Sequence, residues 1–488
     1  MYNGLYNVVF ATLAITVSAL CIKHTALEVS ADEEHWNKHI VSRQSLINLS
    51  LSLLTLYYFY SIIPPLIGKF RNPISIDDFR WYYAAGKAAH DGLSPYALDS
   101  FTQAILPLLE DSSEFSPFAY PPSIIPFIFP LSYLSYDTAA RLFLTFDLIS
   151  VIFLLYGATL LLDRKTTSFK IYCLCTCSLI YGVTWSVRLG NISVIVSSLI
   201  VWTVILAKNG KNALAGVLLG ASMLKPTLSL LFMIFFLLKK RFVLLGWSLA
   251  TALTLTSIGL WMCNTSVVEF VHMYRAGAEL HFENYWNSIY TSPVRIDAGV
   301  IGPRIFPDNV TLANFISNSI TLIVTALIAV HTYRSQKNSQ WSSHVNLSEV
   351  SLIACLSVLS MYSQPQNGSI LVLVAVVLLN YVSCEISSEN SSWNKLVVVY
   401  AGAVCLMIHT HLIYGPVLRY VLKHRDSLSY LAEIGIVSIP NYAILGLTLS
   451  VLLLARRTGS MALPHKRSAA PPFYEYLRKA RNRPGRMG

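Results

Sequence analysis

Apolar residues run along this chain in long, nearly unbroken blocks, not in the short alternations of half-buried strands or surface helices. Blocks close to the roughly 20 residues needed to cross a hydrocarbon core recur from end to end. They fall near 7–22, 46–67, 142–162, 171–187, 191–207, 211–224, 227–238, 242–262, 312–331, 347–362, 369–383, 395–414 and 433–455. The pattern predicts an all-α polytopic membrane protein with about 11 to 13 transmembrane helices. Several blocks are short, which predicts tilted or broken helices around a cavity, where irregular backbone is tolerated. The first block lacks the basic leader and cleavage pattern of a signal peptide and is expected to stay as a helix.

Two stretches interrupt this rhythm. Residues 69–138 mix Asp, Tyr, Trp and Pro with short apolar pieces, and 263–311 do much the same. Both read as structured loops, and charge decides which side they face. Arg164, Lys165 and Lys170, then Lys208 and Lys211, then Lys239, Lys240 and Arg241, and the tail from Arg456 to Arg486 follow the positive-inside pattern. Those clusters are expected in the cytoplasm and the two loops on the extracytoplasmic side. With about thirteen spans the N-terminus then lies outside. Residues 1–455 read as one transmembrane domain and 456–488 as a basic cytoplasmic tail near anionic headgroups.

Composition agrees: of 488 residues 54% are hydrophobic and 12% charged, with a mean hydropathy of +0.54, against about 25% charged in soluble domains. The net charge of +11 is dispersed in short clusters between apolar blocks, so it reports topology and not a nucleic-acid surface. The eight cysteines lie mostly within apolar blocks, and Cys173, Cys175 and Cys177 do not share one helix face. His272, Glu279, His281 and Glu283 cluster in the second loop without a fixed ligand geometry. No cofactor is expected, and a divalent metal is left open.

Chemistry concentrates at the start of the first loop. Phe79 to His90 has helical spacing, Asp91-Gly92 is a stop and Ser94-Pro95-Tyr96 a turn. Asp77 and Asp78 therefore sit at a helix N-terminus near the membrane face. Either can cap the first turn, for about 1 kcal/mol. Both need not do so, which leaves one for other work. Lys225, followed by Pro226 between two short blocks, reads either as a snorkelling lysine or as a functional cation. Arg188 has the same two readings. Trp81, Tyr82, Tyr83, Tyr96, Tyr120, Tyr285 and Trp286 either form an interfacial belt or stack on sugar faces.

A series of short motifs follows in a fixed order. Asp78, Phe79, Tyr82, Gly92, Pro95 and Tyr96 come first, then Phe118-Ala119-Tyr120-Pro121-Pro122 and Pro130-Leu131. Gly190-Asn191 comes next, then Ala215-Gly216 through Gly220, and Leu224-Lys225-Pro226. In this order and spacing the chain resembles glycosyltransferase family 87 of the GT-C superfamily, which includes polyprenyl-phosphate-mannose-dependent mannosyltransferases. The resemblance is close over about 75–245 and looser beyond. Asn191 stands where the family usually has Gln. Asn287-Ser288 and Ser363-Gln364-Pro365-Gln366-Asn367-Gly368 match later elements, the second without its usual His or Asp.

The resemblance implies a GT-C fold in the inner (plasma) membrane and transfer of a hexose, with mannose as precedent, from a polyprenyl-phosphate donor. The acceptor is expected to be a membrane glycolipid or glycan, with no nucleic-acid partner. Inverting transfer needs a carboxylate to take the acceptor proton and cations to stabilise the departing phosphate. The family register selects Asp78 as general base, and Asp77, Tyr82, Tyr120, Arg188, Asn191, Lys225, Asn287 and Asn367 as substrate-binding residues. A polysaccharide polymerase or ligase would lean on Arg and His in its large loop. A lipid-linked sugar transporter or flippase would carry internal repeats or mid-span acids, features not expected here, and these two readings stand as the alternatives to the transferase.

Overall fold

The computed structural model describes residues 67–71, 77–109, 115–163, 167–284, 287–290, 292, 294–337, 345–386, 393–409, 420 and 430–458. The apolar blocks at 7–22 and 46–66, the 23–43 loop, Arg164, Lys165, Tyr285, Trp286 and the tail from 459 onward lie outside those residues.

Every regular element among the described residues is helical. The first loop contributes α1 (Asp77–His90) and α2 (Leu98–Ile105), then an apolar run of short helical turns over Pro122–Tyr133. The bundle follows as α3 (Tyr136–Leu160), α4 (Thr167–Ser178), α5 (Tyr181–Leu189), α6 (Ser193–Lys208), α7 (Asn212–Ala221), α8 (Pro226–Leu238) and α9 (Phe242–Met262). The second loop carries α10 (Val267–Glu283). The chain then continues through α11 (Val310–Lys337), α12 (Leu347–Ser360), α13 (Val372–Ile386), α14 (Trp393–Ile408) and α15 (Tyr430–Thr458).

Among the described residues four stretches are long and apolar enough to cross a membrane: Tyr136–Leu160, Phe242–Met262, Val310–Arg334 and Ser438–Ala455. Around them stand shorter apolar helices, as the short blocks predicted. Two expectations need correction. The block 171–187 is not one span, because the helix stops at Ser178 and restarts at Tyr181, whose N–H donates to His409 O at 2.7 Å instead of continuing the helical ladder. Nor does 211–224 or 227–238 form a helix of full membrane length on its own. The 13 residues of α8 rise about 20 Å, short of the roughly 30 Å core.

α7 and α8 form a hairpin of two short arms. Arg241 Nη1 donates to Asn212 Oδ1 at 3.1 Å, so the entry and exit of the hairpin lie together. Lys225, with φ −136° and ψ 85°, leaves the helical region at the tip, and Pro226 opens α8. The hairpin is held by close approach: side chains at Gly216 or Gly220 would collide with the backbone carbonyls of Leu244 and Ser248 on α9. This small-xxx-small spacing gives the Ala215-Gly216 signature its physical content.

At the basic end of the hairpin, Lys239 Nζ lies 2.6 Å from Glu349 Oε2, both groups buried, tying the end of α8 to the first turn of α12. A further correction concerns α3, which does carry an acid within its membrane-length stretch. Asp147 is 0% exposed, among Phe143, Leu144 and Val151 on the inward face, and neither carboxyl oxygen has a hydrogen-bond partner among the described residues.

Removing one member of a buried ion pair strands the other, at about 3–5 kcal/mol. Lys239→Met or Glu349→Leu alone should therefore lower the melting temperature of the purified protein sharply. The double variant should recover most of the loss. Additive losses in a thermal-melt series would show that the two charges do not depend on each other.

Candidate active site

Helical geometry separates the adjacent carboxylates of α1. Asp78 and Tyr82 are four residues apart and share a face, whereas Asp77 points elsewhere. Asp77 is exposed and accepts from Arg80 Nη2 at 3.1 Å. Lys69 and Arg188 share this corner electrostatically with Asp77 and Arg80. Asp78 turns inward, where its Oδ2 accepts from Asn191 Nδ2 at 2.6 Å. Tyr82 donates its hydroxyl to Tyr120 at 2.8 Å, and Asn191 Nδ2 also approaches the Tyr120 hydroxyl at 3.3 Å.

Asn191 owes its position to the break between α5 and α6. Gly190 caps α5 with φ +68°, a left-handed conformation that glycine adopts at little cost. Asn191 N then bonds back to Ser186 O at 2.8 Å. Its side-chain Oδ1 accepts from Ser193 N at 2.9 Å, which opens α6. The same Oδ1 accepts from Lys225 Nζ at 3.0 Å, and Nζ donates also to Ser193 Oγ at 2.7 Å. The amide orientation follows from these partners, since a carboxylate requires the donor end and an ammonium the acceptor end. Lys225 is buried and lies 6.0 Å from the centre of the Tyr120 ring.

Ser193 Oγ continues the network to Asn367 Oδ1 at 3.1 Å, in the 3₁₀ segment Pro365–Leu371 that leads into α13. Asn367 Nδ2 reaches back to Tyr362 O and Ser363 Oγ, both at 3.3 Å. Tyr362 in turn donates to Asn287 Oδ1 at 2.6 Å, and Gln364 Nε2 donates to the same oxygen at 3.1 Å. Asn287 thus heads a second polar cluster with His281, whose Nδ1 is 2.8 Å from Ser116 Oγ. Arg295 stacks over Tyr362 at 4.9 Å and forms a two-pronged pair with Asp297 at 2.9 and 2.8 Å.

Of the residues expected from sequence, Asp78, Tyr82, Tyr120, Asn191, Lys225 and Asn367 come together in one connected network. Asn287 joins through Tyr362. Asp77 and Arg188 stand outside it, Arg188 being exposed and stacked on Trp185 at 5.3 Å. Trp81 Nε1 donates to Ser116 O, Tyr83 to Leu134 O and Tyr96 to Tyr120 O, so these aromatics hold the loop walls and do not present open faces. His272, Glu279 and Glu283 are exposed on α10, away from His281, whose ring is turned to Ser116. A cleft of about 400 Å³ between Ser94, Thr265 and His272 shares no residue with the Asp78 network.

Ser193 and the Tyr362–Gln364 pair were not singled out in the sequence. The first carried a signal, an Asn two residues before a serine at the head of an apolar block. Asp147 carried one too, as an acid inside a predicted span, and it lies within electrostatic reach of Asp78.

Burial raises the pKa of Asp78 to about 6, with the Asp77 charge adding to it and the Asn191 hydrogen bond and Lys225 charge opposing it. Burial pushes the Tyr82 and Tyr120 hydroxyls up. It pulls His281 down to about 4, helped by the Arg295 charge, so this imidazole is neutral near pH 7. Asp78 is therefore a carboxylate poised near neutrality, held by neutral donors and one amide removed from a cation. Such a group accepts a proton from a bound hydroxyl.

Residues 118–360, about half of the chain, match the family model described as Glycosyltransferase family 87. No curated protein and no solved structure matches the chain. The match spans Tyr120, Asn191, Lys225 and Asn287, while Asp78 and Asn367 fall outside it and meet those residues in space. With its helical membrane architecture and the family match, the chain belongs to glycosyltransferase family 87 and is a membrane glycosyltransferase.

Proposed function

We propose that the protein transfers a hexose, with mannose the leading choice, from a polyprenyl-phosphate donor to a membrane glycolipid or glycan, with inversion. The reaction takes place on the extracytoplasmic side of the inner membrane, and the basic clusters and tail face the cytoplasm. One observation carries this reading: Asp78 lies at the junction of a loop helix with the bundle, joined through Asn191 to Lys225 at the tip of the α7–α8 hairpin.

In the reaction the acceptor hydroxyl gives its proton to Asp78, and its oxygen attacks the anomeric carbon from the face opposite the phosphate. The bond from that carbon to the phosphate oxygen breaks, and its electron pair leaves with the polyprenyl phosphate. Lys225 has three N–H donors, two of them engaged by Asn191 and Ser193. The third serves the departing phosphate, with Arg188 as the outer cation. Tyr120, whose hydroxyl stays protonated, is a donor to a sugar oxygen, and Tyr82 orients it by donating to it.

Asn is isosteric with Asp and its side-chain oxygen can still accept from Asn191 Nδ2, so Asp78→Asn should fold normally while losing the proton acceptor. Transfer from a radiolabelled polyprenyl-phosphate sugar should fall about 10²- to 10⁴-fold, and Asp77→Asn should lose far less. Full activity in Asp78→Asn would remove the carboxylate from the mechanism.

The base works only when ionised, and with a pKa raised to about 6 its ionised fraction falls as pH drops below that value. The ratio kcat/KM should accordingly decline about tenfold per pH unit on the acid side of about 6. A limb near pH 4 would mean that the group titrates as an ordinary carboxylate.

Replacing Lys225 with Ala should raise the donor KM and lower turnover, since it removes a phosphate contact and frees the Asn191 amide. Unchanged kinetics in steady-state assays would leave Lys225 with a packing role alone.

A further inference from the structure

α10 begins at an abrupt corner. α9 ends where Asn264 takes φ +46° and Thr265 N bonds to Leu260 O at 3.0 Å, a left-handed stop at the end of a membrane-length helix. Two residues later Ser266 and Glu269 close a reciprocal capping box, with Glu269 N to Ser266 Oγ at 3.2 Å and Ser266 N to Glu269 Oε2 at 2.8 Å. The direction change between α9 and α10 is thus written into the sequence on both sides of the corner.

α10 has three faces, and 17 residues without a buried one. At about 100° per residue, Phe270, Tyr274, Gly277 and His281 point one way. This face grips the loop segment that ends in Tyr120: Tyr274 donates to Ala119 O at 3.1 Å, His281 meets Ser116, and the Phe270 ring lies 4.8 Å from that of Tyr96. A second arc holds Val267, Val268, Val271 and Phe282, all exposed, with Val268 at 67%. Arg275 falls within this arc, between Phe282 and Val268, and turns its head toward Glu279 at 3.6 Å, as a snorkelling side chain does. The third arc is polar and exposed, with Glu269, His272, Glu279 and Glu283. Leu280 alone among the large exposed apolar residues lies beyond the apolar arc.

A helix with separate apolar and charged exposed faces is built for a boundary between lipid and water. The apolar arc continues a surface already given over to lipid. The exposed face of α9 carries Trp247, Leu253, Ile258 and Trp261, the last 78% exposed, and Val267 and Val268 follow directly round the corner. We propose that α10 lies on the membrane surface at the Asp78 end of the bundle. Its valine arc seats among the lipid chains just below the headgroups, and its acidic arc faces water. The partner is the lipid surface itself, and the inner face of the helix fixes the Tyr120 segment relative to that surface. The proposal stands independently of donor and acceptor identity.

The test uses the full chain in phospholipid nanodiscs, with an environment-sensitive fluorescent amino acid at one position at a time: Val268, Val271, His272, Glu279, or Trp261 as the lipid-facing reference. The probes are nitroxide-bearing lipids labelled near the headgroup and aqueous iodide. Val268 and Val271 should be quenched several-fold more by the nitroxide lipids than His272 and Glu279, with iodide showing the reverse order. Two adjacent valine positions guard against a single variant that fails to fold. If Trp261 responds to the nitroxide lipids while both valine positions follow iodide, α10 stands in water and the proposal is overturned. Nitroxide quenching at Glu279 equal to that at Val271 would also overturn it, since the helix would then be immersed on all sides.

Discussion

One carboxamide holds the centre of this molecule together. Asn191 gives its N–H to the Asp78 carboxylate and its oxygen to the Lys225 ammonium, so opposite charges are joined without touching. A direct pair would quench both groups: the carboxylate would become a weak base and the cation a poor phosphate ligand. Separated by one polar side chain, each group keeps its charge partly uncommitted.

That arrangement depends on interruptions in three pairs of helices. The left-handed cap at Gly190 frees the Asn191 backbone, the extended Lys225 turns the hairpin tip, and the 3₁₀ segment at Pro365–Leu371 carries Asn367. Backbone that has left a helix inside a membrane protein must find other partners. Here the partners are the site's own side chains: Asn191 satisfies Ser193 N, and Ser193 Oγ lies beside both Asn191 Oδ1 and Asn367 Oδ1. Binding chemistry and backbone satisfaction are the same set of contacts, so a change in one disturbs the other.

Much of this was legible in the sequence because its signals are local. Apolar block length gave the membrane class, Asp78 and Tyr82 share a face by their spacing, and Lys225-Pro226 announces a helix break. What escaped depends on distant packing. Nothing near Asn287 signals Tyr362, and no local spacing tells whether Asp147 has a partner. Nor does anything local to the two short blocks flanking Lys225 tell that Arg241 is bonded to Asn212. The aromatics of the first loop were open to two readings because a ring in a sequence has no neighbours. Packed, Trp81, Tyr83 and Tyr96 each hold a backbone carbonyl.

The bond between Lys239 and Glu349 also bears on how the chain is built. Synthesis runs from the N-terminus, so the α7–α8 hairpin is made well before α12 exists, and Lys239 until then lacks Glu349. When α12 arrives, both charges surrender hydration together and close the basic end of the bundle. Until then the hairpin is fastened mainly by its glycine contacts with α9. A chain halted between α9 and α12 would leave that cation without its carboxylate.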